Sequence, residues 1–100
     1  MQDAPDALRK PQLAQQVAEV LGISKERAAD VVAIVLEEIS LGLAQHDEVF
    51  IAGFGRFSKR HRSARSGLDL RSGKPLEIAA HYVVSFRPAS KLKQAINDKT

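Results

Sequence analysis

From residue 10 onward, apolar residues recur first at the spacing of a helix and then at the spacing of a strand. Leu13, Val17, Val20 and Leu21 fall at intervals of four, three and one, which gives one apolar stripe on a helix. That helix begins near Lys10 with Pro11 in its first turn, where a missing N–H costs nothing. Gly22 supplies a left-handed stop, covered hydrophobically by Ile23. Ser24 is the N-cap of a second helix, and Glu26 sits in the first turn, where the helix dipole favours an anion. Ala28, Val31, Val32, Val35, Leu36, Ile39 and Leu43 hold the helical rhythm for about five turns, ending by Gln45 or His46. Lys25, Arg27, Asp30, Glu37 and Glu38 form the polar remainder.

The period then changes to two. Val49 to Ala52 is a short apolar strand, and Gly53-Phe54-Gly55 is a turn with an aromatic between two flexible residues. In the strand that follows, Arg56, Ser58, Arg60 and Arg62 fall on one face and Phe57, Lys59 and His61 on the other. Arg65 breaks that parity, which calls for a bulge near Ser63-Ala64 or for Arg65 pointing elsewhere. Ser66-Gly67 and Ser72-Gly73 bracket a hairpin tip, and Leu76 and Ile78 carry the return limb at strand spacing. Tyr82 to Phe86 has high β propensity, Pro88 ends it, and Ala89 to Asn97 suits a short helix with Leu92, Ala95 and Ile96 inward. Ser90 is an alternative N-cap for that helix.

These elements predict an α+β fold: two N-terminal helices, a three-stranded antiparallel sheet with a long β-hairpin arm, and a short C-terminal helix. Residues 1–8 lack periodicity and read as a disordered tail, residues 9–97 as a single domain, and residues 61–80 as a flexible arm. The apolar face of the second helix is too wide for the first helix alone to cover. With 44% hydrophobic residues and 5% aromatic in 100 residues, the chain has more apolar surface than so small a body hides, so burial between two copies is expected.

Charge sharpens the picture. Residues 1–52 hold four Lys/Arg and nine Asp/Glu, a net of −5, whereas residues 53–100 hold eleven and three, a net of +8. Arg60, Arg62, Arg65, Arg71 and Lys74 place five cations in fifteen residues, opposed by Asp69 alone. A run with so little to bury calls for an external anionic partner, a nucleic acid or an anionic surface. Zero Cys removes disulfides, thiolate catalysis and Cys-based zinc sites together, and fits the cytoplasm. Residues 1–8 are acidic and unlike a signal peptide, no apolar run approaches the ~20 residues of a membrane span, and no membrane role is expected.

Nothing in the chain marks an enzyme. His46, His61 and His81 are scattered without ligand spacing, and Glu37 and Glu38 face different ways on their helix. Gly53-x-Gly55 precedes a strand and has Ser58 where a dinucleotide loop needs its third glycine. No catalytic residue, metal ligand or cofactor is expected. A protein-interaction module using the basic segment as an arm is the rival non-enzymatic reading.

The order of elements, with Gly53-Phe54-Gly55-Arg56-Phe57, Arg60-x-Arg62-x-Ala64-Arg65-x-Gly67, Ser72-Gly73, Ile78-x-Ala80, Val83-Val84-Ser85-Phe86-Arg87-Pro88 and Leu92-Lys93, resembles the HU/IHF family of bacterial DNA-bending proteins. Only residues 1–8 and the last few lie outside the resemblance. It implies an intertwined dimer, with itself or a related subunit, whose helices form a base and whose two arms reach around double-stranded DNA into the minor groove. It also implies a nucleoid-associated protein of the bacterial cytoplasm. The expected DNA-binding residues are Arg56, Lys59, Arg60, Arg62, Arg65, Arg71, Lys74, Arg87, Lys91 and Lys93. Phosphate contacts of this kind give little sequence preference and would also tolerate RNA. The Val83-to-Pro88 segment looks more like IHF subunits, and an IHF-like site preference is the nearer alternative. The family tip carries Arg-Asn-Pro with the proline as a wedge between base pairs; here Leu68-Asp69-Leu70 stands there, which leaves Leu70 as the candidate wedge and Asp69 as a charge that phosphates repel. Phe54 and Phe57 are read as packing residues, not stacking platforms.

Overall fold

The computed structural model of the chain describes residues 6–98. The expected disordered tail, residues 1–8, lies mostly outside the described residues; residues 6–9 precede the first helix without regular structure. The elements are α1 (Lys10–Leu21), α2 (Lys25–Gln45), β1 (Glu48–Ile51), β2 (Gly55–Arg62), β3 (Arg65–Leu68), β4 (Pro75–Ile78), β5 (His81–Pro88) and α3 (Ser90–Asn97). The chain divides between Leu41 and Gly42 into two compact units.

In the first unit the helix signals act as the chain predicts. The Arg9 N–H donates to Gln12 Oε1 at 3.2 Å, and Pro11 occupies the first turn of α1. Gly22 stops the helix at φ 68°, a left-handed conformation that a side chain would strain, and its N–H donates to the Ala18 carbonyl at 2.8 Å. Ser24 caps α2, its Oγ accepting the Arg27 N–H at 3.1 Å.

Ala14, Ala18, Ala28 and Val32 form the buried cluster of this unit, with Val17 and Ile23 packed against it. Three alanines supply little apolar area, and full burial of one valine stabilises by only about 1.5–3 kcal/mol. The larger apolar residues of the same helices face outward: Val20, Leu21, Val31, Ile34, Val35, Leu36 and Leu41 are exposed.

The second unit begins in the last turn of α2. Gly42 sits where a Cβ would come within 2.9 Å of Val49 Cγ2, so the close approach of β1 to the helix requires a glycine or a shift of Val49. Beyond β1, Gly53 turns the chain at φ 79° and the Phe54 N–H donates to the Ile51 carbonyl at 3.0 Å. A three-stranded antiparallel sheet in the order β1-β2-β5 follows, and β3 pairs with β4 in a separate two-stranded ribbon.

Two local alternatives are decided by the register and the cap. Arg62 pairs with His81 and Arg65 with Ile78, so three steps on one strand match three on the other and no residue is inserted. Instead of a bulge at Ser63-Ala64 there is a gap in the ladder on both limbs, with Ala79 and Ala80 opposite; four small side chains give the strands little to hold across it. At the C-terminal helix the capping position falls on Ala89, in extended conformation, and Ser90 is the first helical residue. The Ala89 N–H is taken by the Phe54 carbonyl at 2.9 Å, which fixes the entry to α3 one residue before the serine. In α3, Leu92 is half-buried while Ile96 is exposed, so the inward side is narrower than the sequence pattern suggests.

Candidate nucleic-acid interface

Residues paired across antiparallel strands lie on the same face of the sheet, and alternate residues lie on opposite faces. The observed register therefore sorts the candidates. On one face stand Glu48 and Phe50 from β1, Arg56, Ser58, Arg60 and Arg62 from β2, and His81, Val83, Ser85 and Arg87 from β5. On the other stand Val49, Ile51, Gly55, Phe57, Lys59, His61, Tyr82, Val84, Phe86 and Pro88.

The second face is a packing face. Phe86 lies 4.8 Å from Phe57 and 5.6 Å from Phe54, ring centre to ring centre, so the three aromatics pack on one another, but Phe54 and Phe86 stay exposed in the single chain and do not form the buried core read from the sequence. Gly55 is buried here because a Cβ would meet the Phe86 ring at 2.5 Å and the Arg87 carbonyl oxygen at 2.8 Å. Lys59 belongs to this side as well. Its ammonium donates to the Ala44 carbonyl at the end of α2 at 3.4 Å and lies 5.3 Å from the centre of the Tyr82 ring. A cation at a helix C-terminus is favoured by the dipole, so Lys59 has a structural partner and is not brought to the arginine face.

The first face is an accumulation of like charge. Arg56 and Arg87 are direct cross-strand partners, with Arg60 and Arg62 further along β2 on the same side. Like charges set directly opposite destabilise a sheet. Glu48 is the carboxylate that meets them: its Oε1 is 3.1 Å from Arg56 Nε, with both side chains 49% exposed. The Arg56 guanidinium also lies 5.1 Å from the centre of the Phe50 ring. Glu48 and Phe50 were not among the residues singled out from the sequence. Alternation along Glu48-Val49-Phe50-Ile51 separates them from Val49, but only the pairing with β2 shows which pair joins the arginines.

At the gap, Arg62, Ser63, Ala64, Arg65 and His81 line one concavity together with Val83 and Val84 from opposite faces of β5, so Arg65 borders the same hollow as Arg62. Arg71 and Lys74 are exposed at the tip. Six residues join β3 to β4, and the loop is held by its own groups. The Asp69 N–H donates to the Lys74 carbonyl at 2.8 Å and the Gly73 N–H to the Asp69 carbonyl at 2.6 Å. Asp69 Oδ1 accepts the Arg71 N–H at 3.0 Å, and Ser72 Oγ accepts the Lys74 N–H at 3.2 Å. Leu70 is left 92% exposed and Leu68 61%. In α3, Lys91 and Lys93 are both exposed, but residues two apart on a helix stand about 200° apart and do not share one surface.

Among the described residues no group of three His, Cys, Asp or Glu side chains could hold a metal ion, and no helix is long and apolar enough to cross a membrane.

A helical pair, a three-stranded sheet with one arginine-bearing face and a cationic two-stranded extension define the class of small β-armed basic proteins. A family model described as "Bacterial DNA-binding protein" matches residues 8–97, and the chain belongs to that family, the non-enzymatic HU/IHF proteins. It is 41% identical over 90 residues to DNA-binding protein HU-alpha of Pseudomonas aeruginosa, a match covering 90% of this chain and 100% of that one. It is equally 41% identical over 92 residues to integration host factor subunit alpha of Colwellia psychrerythraea, covering 92% of this chain and 95% of that one. The fold matches that of HU from Anabaena, solved in a cocrystal with DNA, with a TM-score of 0.80 and 29% identity over 92% of this chain and 100% of that one.

Proposed function

We propose that this chain acts as a dimer that binds double-stranded DNA with low sequence specificity and compacts or bends it. In this reading residues 9–97 of each copy form one working body, located on the bacterial nucleoid. The arms enter the minor groove while the sheet face and arm root hold phosphates. The observation that carries this is the direct pairing of Arg56 with Arg87, reinforced by Arg60 and Arg62 on the same face, with Glu48 paired to Arg56. Such a face costs free energy until an extended anion lies on it. Arg65, Arg71 and Lys74 continue the charge along the arm, while Lys91 and Lys93, on different sides of α3, do not both extend that surface.

The dimer is supported by the exposed apolar surface of α1 and α2, which a single copy does not cover. Leu70 is the wedge: an exposed leucine at the tip, able to enter a base step and partly unstack it. Bending a site of ~20–30 base pairs costs about 1–6 kcal/mol, to be offset by the contacts that the second arm and the sheet gain on the bent duplex.

The test is the affinity for a short mixed-sequence duplex measured against salt. Neutralising ~6–10 phosphates gives a slope of log K on log salt of roughly −5 to −9. A slope near zero overturns the proposal. Binding that survives excess acidic protein but not heparin separates nucleic acid from a protein partner. A site-preferring mode is the second reading, since the 41% identity to an integration host factor subunit equals that to an HU chain. Competition by random DNA decides: one sequence resisting competition by orders of magnitude favours it.

A further inference from the structure

We propose that Asp69 makes the arm tip a reader of the guanine 2-amino group, so that the tip settles on G·C-bearing steps of the minor groove. This rests on the reading that the arms enter that groove. Asp69 is the single acidic residue between Arg60 and Lys74, and it stands at the outermost turn of a segment otherwise built from cations. Near phosphates a carboxylate is repelled, so its position needs a reason.

Turn geometry is not that reason. Asp69 Oδ1 accepts the Arg71 N–H, but an asparagine oxygen supplies the same acceptor without the charge. The backbone bonds between Asp69 and Lys74 and between Gly73 and Asp69 close the loop independently of the side chain. What the charge adds is an acceptor-only group flanked by the two exposed leucines Leu68 and Leu70. Its second oxygen, Oδ2, has no partner among the described residues.

The minor groove offers such a group one choice. A·T and T·A pairs show only acceptors there, adenine N3 and thymine O2, whereas G·C adds one donor, the guanine 2-amino group. Against A·T the carboxylate loses water and meets acceptors, which is costly for a charged group left unpaired. Against G·C it gains a charge-assisted hydrogen bond. Leu70 entering the adjacent step brings the carboxylate to the groove floor, where this difference is felt. The sheet and arm root contribute affinity without reading bases, and Asp69 adds a preference on top of it.

The experiment uses the full chain and one mixed-sequence duplex in three chemical versions. One is natural, one has every guanine replaced by inosine, which removes the 2-amino group, and one has every adenine replaced by 2,6-diaminopurine, which adds it. The major-groove hydrogen-bonding edges of G·C and inosine·C are the same. The expected result is that wild type binds the natural duplex roughly tenfold more tightly than the inosine version, and the diaminopurine version at least as tightly as the natural one. Asp69→Asn, which keeps the turn acceptor and adds a donor, binds all three within about twofold and so also controls for changes in duplex flexibility. Equal binding of the natural and inosine duplexes by wild type, as a major-groove or purely structural role gives, overturns the inference alone. So does an Asp69→Asn variant that keeps the full contrast. Failure to bind any version at low salt overturns the DNA-binding reading together with the inference.

Discussion

Glu48 Oε1 lies 3.1 Å from Arg56 Nε across the β1–β2 pair, so the carboxylate meets a guanidinium whose cross-strand partner is another arginine. A half-exposed pair of this kind contributes about 0–1 kcal/mol to folding, but it competes directly with phosphate for Arg56. Glu48→Gln is expected to leave thermal stability nearly unchanged and to tighten duplex binding several-fold at low salt. Weaker binding in an anisotropy titration would show that Glu48 positions Arg56 for the duplex and does not restrain it.

The two faces of β2 make opposite demands on its cations. Arg60→Ala combined with Arg62→Ala is expected to weaken duplex binding and to flatten the salt slope by about two for each copy. Lys59→Ala, on the packing face against Ala44 and Tyr82, is expected to keep the slope and affinity within about twofold and to lower the melting temperature slightly. Equal losses of affinity would mean that the sheet does not present a single face to DNA.

Gly55→Ala tests the packing of the sheet itself. The added methyl meets the Arg87 carbonyl, a backbone atom that has no rotamer to change, as well as the Phe86 ring. The expected cost is about 1–3 kcal/mol, read as a fall in the midpoint of thermal or denaturant unfolding. An unchanged midpoint contradicts the geometry of the β2–β5 pair.

The outward residues of α2 test the dimer. Ile34 is 59% exposed in the single chain. Ile34→Asp is expected to shift the sedimentation mass toward the monomer and to weaken duplex binding in parallel. If the wild-type protein sediments as a monomer at micromolar concentration, the paired arrangement is wrong.

At the tip, Leu70→Ala removes the wedge but leaves the turn bonds of Asp69 and Ser72 in place. End-to-end energy transfer on a labelled duplex is expected to report a smaller bend, with affinity falling less than bend angle because the phosphate contacts remain. A bend as large as that of wild type removes Leu70 from the mechanism.

The chain announces its local structure through residues whose effect is local. Pro11, Gly22 and Ser24 mark helix ends because each acts on the nearest turn, and the alternation of Arg56, Arg60 and Arg62 assigns them one face whatever they pair with. Register is different in kind, since it belongs to two strands at once. The sequence around Ser63-Ala64 therefore leaves open a bulge or an Arg65 that points elsewhere, and only the pairing with the limb that carries Ala79-Ala80 shows a gap with unchanged register. The same limit hid Glu48, whose place beside Arg56 depends on how the Gly53 turn sets β1 against β2. Ser90 is out-competed as a cap by a backbone bond to Phe54, a residue distant in sequence. Charge groups Lys59 with the arginines, although its parity already places it on the other side.

Because the ladder stops on both limbs at the same height, strands β3 and β4 form a substructure of only four residue pairs. So short a ribbon holds no independent stability in water. Its amides will trade their hydrogens for solvent deuterium long before those of the Arg56-to-His61 stretch, and substitutions near Asp69 will leave the unfolding temperature of the remainder untouched. Recognition and foldedness thus reside in separable parts of one polypeptide, and the outermost residues can be rewritten without asking anything of the rest.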